Sequence, residues 1–542
     1  MKQNQAKQRR VIAIGLEALD PDLVDSWCDD GQLPVLSSLR ERGTWRRLRS
    51  TTEISSGTAW SSLTSGVGPG GHSSFFFHRQ LQSGSYNIVK KYADEIFNEP
   101  VWMRLSDTGH RVAVIEVPGA KLHDGINGVE ILSWGAQAPN LNPQLGTPSY
   151  LDELNAQFGQ HPLAGWYETK PGTAAECDAF LTAFRNGIES RTAMGKWVLD
   201  REPWDFFIMV YPEGHTVGHV AYHLFDETHP DHDPDIVRRS GNPLLEIYRE
   251  IDRGIGALIA DEDDATVLVF SNSGMGPNYS GIHLVGAVLD RLGFGPQATG
   301  KERRKSPIRA LMPSLKWGPY AIKEVEDLVG PQNIQRAKKL FPKRFWDRWS
   351  RRMLAMGNEW KNSRAFAVPN DSSGAIRINV KGREPNGLIE PGAEYAAVCD
   401  KLIEEFSALI NPATGQPAVD KILKGDDVCA GPYRDDFPDL IVVWNREAPI
   451  EALQSERIGT VNGHLPDRRT GAHKVDGFLI SCGPALVPGG VAEDASILDV
   501  APTILEFLGQ AIPDTIKGRP LDDICNAGAG PAKAQQVPDP VL

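Results

Sequence analysis

The densest chemistry-bearing stretch is Pro212-Glu-Gly-His-Thr-Val-Gly-His-Val-Ala-Tyr-His223. On a helix starting near Gly214, the residues His215, His219 and His223 fall on one face, one turn apart. Two imidazoles at that spacing can grip a divalent cation, and the preceding apolar run Trp204–Tyr211 places them at the end of a strand. The competing reading is a set of structural histidines on a half-buried helix. His229 and His232 follow in a Pro/Asp-rich loop and read as surface residues. A second stretch, Ser50-Thr-Thr-Glu-Ile-Ser-Ser-Gly-Thr-Ala-Trp-Ser61, offers hydroxyl nucleophiles and backbone amides at a helix start. Such Ser/Thr runs are also ordinary caps. A third, Gly471-Ala-His-Lys474, is by itself a loop histidine. A fourth, Val267-Leu-Val-Phe-Ser-Asn-Ser-Gly-Met-Gly276, reads as a buried strand ending in a tight turn. Open α/β sheets place their chemistry at such strand ends. This one carries neither carboxylate nor imidazole.

The elements that must position these residues are strands alternating with helices. Strand-like runs fall at 11–14, 112–115, 206–211, 267–270, 375–380, 440–444 and 477–480. Helical patterns fall at 20–28, 35–41, 179–200, 243–259, 394–409 and 497–508. The expected fold class is α/β, a largely parallel central sheet with helices on both faces. The chain has 542 residues and a net charge of -13, which argues against nucleic acid as a partner. The charge is uneven: Lys301–Arg352 holds fifteen Lys/Arg against five Asp/Glu. Within that segment Phe341, Phe345, Trp349 and Met353 recur every four residues, so a basic amphipathic helix is expected. It reads either as a cap packed on the core or as a surface for anionic substrates, lipid headgroups or a partner. Six cysteines without CxxC spacing point to neither a disulfide framework nor a thiolate metal site. The basic, polar N-terminus and the absence of a long apolar run lead to a cytoplasmic expectation. The organisation expected is a core in two parts, 9–290 and 361–524, an inserted basic cap, 291–360, and a disordered tail, 525–542.

Taken together, several segments resemble the alkaline phosphatase superfamily, in its type I phosphodiesterase/nucleotide pyrophosphatase branch. They are Val11-Ile-Ala-Ile-Gly-Leu-Glu-Ala-Leu-Asp-Pro21, Ser55-Ser-Gly-Thr-Ala-Trp-Ser-Ser62, Gly68-Pro-Gly-Gly-His72, Trp204-Asp205 and Ile378-Asn-Val-Lys-Gly-Arg-Glu384. Phe437-Pro-Asp-Leu440, Gly471-Ala-His473, Asp499-Val-Ala-Pro-Thr503 and Gly518-Arg-Pro-Leu521 complete the set. The resemblance implies an alkaline-phosphatase-like fold and a two-metal site with a Ser or Thr nucleophile between the metals. By motif position Ser56 is the implied nucleophile, with Ser55 its competitor. One metal site matches His215, His219 and His473, where histidine stands in place of the family's aspartate. Three neutral imidazoles are a sound zinc set and leave the ion its full charge.

The other metal site departs from the family. Its first-strand aspartate matches Glu17, and its Asp-His pair matches Asn272 and Ser273, which are weak zinc ligands. Asp20 and His283 are the remaining residues that folding could bring there. Without a second full site, Glu17 is the candidate base for Ser56 or the ligand of a weak second cation. Asn379, Lys381 and Arg383, with Arg377, would share one face of a strand and offer an anion a cationic surface; internal salt bridges are the rival reading. The function expected is a metal-dependent hydrolase or transferase of a phosphate or related ester. It would be phosphodiesterase-like, with one zinc ion (or Mn or Fe) and a small anionic ester as substrate. The alternatives are a catalytically degraded relative that binds a phosphorylated ligand or partner, and a one-metal enzyme with non-hydrolytic chemistry.

Overall fold

The structure is a computed structural model. It describes residues 9–75, 79–82, 84–90, 99–135, 148–164, 166, 169–296, 360–465, 469–484 and 486–525. The basic segment expected to cap the core and the C-terminal tail therefore lie almost wholly outside the described residues.

A nine-stranded, mostly parallel sheet organises the chain. Its centre is the strand Val11–Leu16, flanked in parallel by Phe206–Tyr211 and Thr266–Ser271. All three strands are buried along their length, as apolar runs covered on both faces must be. Val112–Ile115 and Gly128–Ile131 extend the sheet on one side. Asp476–Cys482 and Thr44–Arg49 extend it on the other, with Asp476–Cys482 running antiparallel to both neighbours.

Alternation along the central strand sorts its side chains between two cores. Ile12, Ile14 and Leu16 join the helices Ala174–Leu199, Glu213–Phe225 and Pro243–Ile259. Val11 and Ala13 join Ala59–Ser65, Val101–Asp107 and Val500–Phe507 on the opposite face. The helix Pro243–Ile259 shows why the sequence was readable here. Asn242 caps it by accepting from the amides of Leu244 and Leu245, Pro243 opens it, and Leu244, Ile247, Ile251, Ile255 and Leu258 make one buried stripe. Each such buried side chain contributes roughly 1.5–3 kcal/mol.

A separate hydrophobic core joins residues from 282–294 and 365–465 around two small antiparallel sheets. The strands Gly374–Ile378 and Leu440–Trp444 lie in one of these, not in the central sheet. Within 361–524, these strands form a sheet of their own, while Asp476–Cys482 and Val500–Phe507 belong to the central sheet and its cover. Short apolar runs do not declare which sheet they join, and register decides it only on folding. All six cysteines are buried free thiols. Among the described residues no helix is long and apolar enough to cross a membrane.

Candidate active site

Three histidines converge at the carboxyl end of the central sheet. The chain leaves the strand Phe206–Tyr211, turns at Pro212 and enters the buried helix Glu213–Phe225. A buried ion triad anchors its first turn: Arg191 donates to Glu213 (2.9 Å) and to Glu116 (2.5 Å). One helical turn separates His215 and His219, whose Nε2 atoms stand 3.0 Å apart. The third, His473, arrives on a two-stranded antiparallel ribbon made by Gly274–Pro277 and Gly471–Lys474. Gly471 makes that arrival possible, because a Cβ there would lie 2.2 Å from the carbonyl oxygen of Gly218. The ribbon is held by Thr470, whose amide donates to the carbonyl of His219 (2.7 Å). The ligand atoms of His215, His219 and His473 all lie within 4.8 Å of one another. Among the described residues this is the one such group of three or more His, Cys, Asp or Glu.

Hydrogen bonding assigns the tautomers. His219 Nδ1 faces the carbonyl of Gly471 at 2.7 Å, and a carbonyl only accepts. Nδ1 therefore carries the proton and Nε2 is bare. The Ser273 hydroxyl donates to Asn272 Oδ1 (3.4 Å), so its oxygen accepts from His473 Nδ1 (3.2 Å). That leaves His473 Nε2 bare, buried and without a hydrogen-bond partner. Burial holds the imidazoles of His219 and His473 well below the usual range, reinforced by His215 and by the charge of Arg469. Neutral rings with one nitrogen bonded outward and the other turned inward are the arrangement a metal ion requires.

The neighbouring turn is built differently. Asn272 Oδ1 accepts from the Ala18 amide (3.2 Å) as well as from Ser273, and the Ser271 hydroxyl donates to the carbonyl of Ser273 (2.7 Å). These polar atoms are committed to one another. Glu17 follows the central strand directly, is buried, and is tied through its amide to the carbonyl of Tyr211 (3.0 Å). Asp20 is occupied as a structural group. It caps the helix Pro21–Asp29, accepts from the Met275 amide (3.3 Å) and pairs with Lys474 (2.8 Å). His283 packs against Gly463, at the second core, and is not part of the histidine group.

The hydroxyl loop leaves the strand Thr44–Arg49, with the Ser50 amide donating to the carbonyl of Val475 (2.8 Å). The Thr58 hydroxyl staples the turn by donating to the carbonyl of Ser55 (2.7 Å). Ser55 is fully buried and its hydroxyl has no partner, whereas Ser56 keeps some exposure. The Ser56 amide donates to Asp371 (3.2 Å). His72, from the Gly-Pro-Gly-Gly-His stretch, bonds Ser62 (2.9 Å), and burial pushes it down to about 3. It is thus a neutral strut under this loop.

Asn379, Lys381 and Arg383 do not share a strand face, because the strand ends at Ile378 and the chain then turns through Gly382 at φ +83°. Asn379 bonds Tyr86 (2.8 Å) and the carbonyls of Trp360 and Ser363. Arg383 forms a two-pronged pair with Asp439 (2.7 Å to each oxygen), and Arg377 pairs with Glu384 (2.7 Å). Lys381 pairs with Glu390 at the surface. The cationic groups are thus matched by carboxylates within the second core's sheet. His229 is buried beside Tyr279 (ring centroids 5.7 Å apart) rather than on the surface, and His232 bonds the carbonyl of His223 (2.8 Å).

Two residues that sequence reasoning missed lie beside the site. Asp371 holds Ser56, and Arg446 donates from Nη1 to the carbonyl of His473 (2.5 Å). Both come from loops of the second core's sheet. The only local signal was the polar run Pro369-Asn-Asp-Ser-Ser-Gly374, of which residues 370–373 are buried.

Among solved structures the chain is similar to phosphonoacetate hydrolase from Sinorhizobium meliloti 1021 in complex with phosphonoacetate. Identity is 15%, coverage 96% of this chain and 95% of that one, and the TM-score 0.49. It is also similar to murine ectonucleotide pyrophosphatase/phosphodiesterase 5, at 12% identity over 93% of this chain and 96% of that one, with a TM-score of 0.45. No curated protein matches it. The family model described as type I phosphodiesterase / nucleotide pyrophosphatase matches residues 11–464, most of the sequence. The chain belongs to the type I phosphodiesterase/nucleotide pyrophosphatase family.

Proposed function

We propose that the protein hydrolyses phosphate esters, most readily diesters, at a site with one zinc ion held by His215, His219 and His473. The observation that carries this reading is the bare, buried and unbonded Nε2 of His473, turned toward two further imidazoles. Leaving such an atom without a partner costs roughly 1–3 kcal/mol unless a ligand satisfies it. Nitrogen-only donors at this spacing suit zinc. When bound, the ion supplies a Lewis acid that polarises a phosphoryl oxygen.

The chain's own residues do the rest. Ser56 is the nucleophile, since it retains exposure while Ser55 is fully buried. Glu17 takes the hydroxyl proton as the Ser56 Oγ–phosphorus bond forms and the bond to the leaving alcohol breaks. The leaving oxygen then receives that proton, and water cleaves the phosphoserine by the reverse route. A second reading, binding of a phosphorylated ligand without turnover, draws on the internal bonding of Asn272 and Ser273.

The test is turnover of phosphodiester, phosphomonoester and sulfate ester substrates with Zn²⁺, Mn²⁺ and Fe²⁺. Hydrolysis of a diester that falls to background in Ser56→Ala, with bound zinc unchanged, supports the reading. Tight binding of a phosphorylated ligand with no turnover under any metal would replace it with the second.

A further inference from the structure

Among the described residues, many buried and half-buried guanidinium groups are matched by carboxylates. Arg46 meets Asp523, Arg191 meets Glu116 and Glu213, Arg377 meets Glu384, and Arg383 and Arg434 share Asp439. Such pairing is expected, because a charge withdrawn from water is costly without a partner.

Arg446 breaks the pattern. Among the described residues no carboxylate oxygen lies within the 4.0 Å of an ion pair with it. Its single hydrogen bond among the described residues is the one from Nη1 to the carbonyl of His473. Its position follows from the second core's sheet. The strand Leu440–Trp444 ends just before it and pairs antiparallel with Gly374–Ile378, with Gly374 opposite Val442. The loops 369–373 and 445–446 therefore emerge at the same end. Asp371, on the first of these loops, is the carboxylate whose field reaches Arg446, but its oxygens are engaged by the Ser56 amide. Arg446 thus lies between the strand that carries His473 and the loop that holds Ser56.

A guanidinium stays charged and offers five N–H donors in a planar fork suited to phosphate oxygens. Here most of that fork is unused: among the described residues only Nη1 makes a hydrogen bond, and the group is half-buried rather than sealed off. The remaining N–H donors are open to an anion that the protein does not itself supply.

We propose that Arg446 binds a non-bridging oxygen of the phosphoryl group at the His215/His219/His473 site. It supplies the positive charge that the Asn272–Ser273 turn cannot gather by holding a second cation. The inference rests on the proposed function and identifies how that same site recognises its anion.

The experiment uses the full chain loaded with zinc and compares it with Arg446→Met and Arg446→Lys. Three quantities are read: zinc equivalents, affinity for inorganic phosphate by calorimetry, and kcat and KM on a phosphodiester such as bis(p-nitrophenyl) phosphate. The expected result is unchanged zinc, at least tenfold weaker phosphate binding in Arg446→Met, a kcat/KM loss of a hundredfold or more, and partial recovery in Arg446→Lys. Recovery by lysine separates a charge contact from a structural role, and it decides the matter if the methionine variant does not fold. Phosphate affinity and turnover unaltered in a folded Arg446→Met, or no gain from lysine over methionine, would overturn the proposal. So would a wild-type protein that binds no phosphate. Arg446-dependent phosphate binding without turnover would leave this inference standing and remove the hydrolase reading. Ser56-dependent turnover indifferent to Arg446 would do the opposite.

Discussion

Two turns flank the central strand and occupy equivalent places. Leu16 is in register with Tyr211 on one side and with Ser271 on the other. The first turn leads into His215 and His219, and the second is Asn272–Ser273. In the first, His219 Nδ1 is bonded outward, so that its Nε2 faces inward unprotonated. In the second, Asn272 and Ser273 bond Ala18, His473 and each other. A place at a strand's carboxyl end therefore does not make a ligand site; uncommitted donor atoms do. The second turn has become a support for the first, since Ser273 sets the tautomer of His473.

The largest expected effect comes from removing the difference at its source. His219→Ala deletes one of the three proposed ligands, and metal affinity should fall by more than the roughly 10–100-fold typical of an outer-shell change. Elemental analysis of protein purified without added metal would read this; retained stoichiometry would break the comparison. Gly471→Ala comes next. Its Cβ would meet the Gly218 carbonyl at 2.2 Å, so the ribbon must move and His473 with it. Loss of most bound metal is expected, against little change if the ribbon can shift freely.

Ser273→Ala asks whether the second turn supports the first. About 10–100-fold weaker metal binding is expected from the loss of the His473 partner, measured by competition with a chelator. Wild-type affinity would show that His473 orients itself. Asn272→Asp with Ser273→His gives the turn a carboxylate and an imidazole, and a second, weaker equivalent of metal should appear if it faces a metal position. No gain in stoichiometry would mean that the turn does not face a metal position.

A further effect, on stability and not on metal binding, concerns pH. Burial holds His72, His161 and His223 at about 3, about 2 and about 3. These lie below the unfolded value of about 6.5. Below that pH the unfolded chain binds more protons than the folded one, so stability is lost as pH falls from about 6.5 toward 3. Each histidine contributes at most ~1.4 kcal/mol per pH unit in that window. Tm of metal-free protein should drop between pH 7.5 and 5.0. A flat Tm would show these rings to be solvated.

The central sheet was legible because its strands are unbroken apolar runs and its helices carry capped, single-sided stripes. The helix 243–259 was expected and observed with the same ends. The second core was not legible. Gly374–Ile378 and Leu440–Trp444 look like further sheet strands until antiparallel pairing places them elsewhere. The cationic set around Arg383 was legible as charge but not as pairing, because Asp439 lies 56 residues away.

The sequence by itself marked His215 and His219 through their helical spacing and the hydroxyl loop through its residue types, whereas His473 and the depletion of ligands at Asn272 and Ser273 were read from the resemblance to the family. Tertiary structure alone decided that His473 reaches the helix, which ring nitrogens are bare, and that Asp371 and Arg446 border the site. Those facts depend on contacts across 27 to 315 residues of chain, from Arg446 with His473 to Ser56 with Asp371. No local pattern encodes such contacts, because they exist only once the sheets have paired and the loops between them are held at one edge.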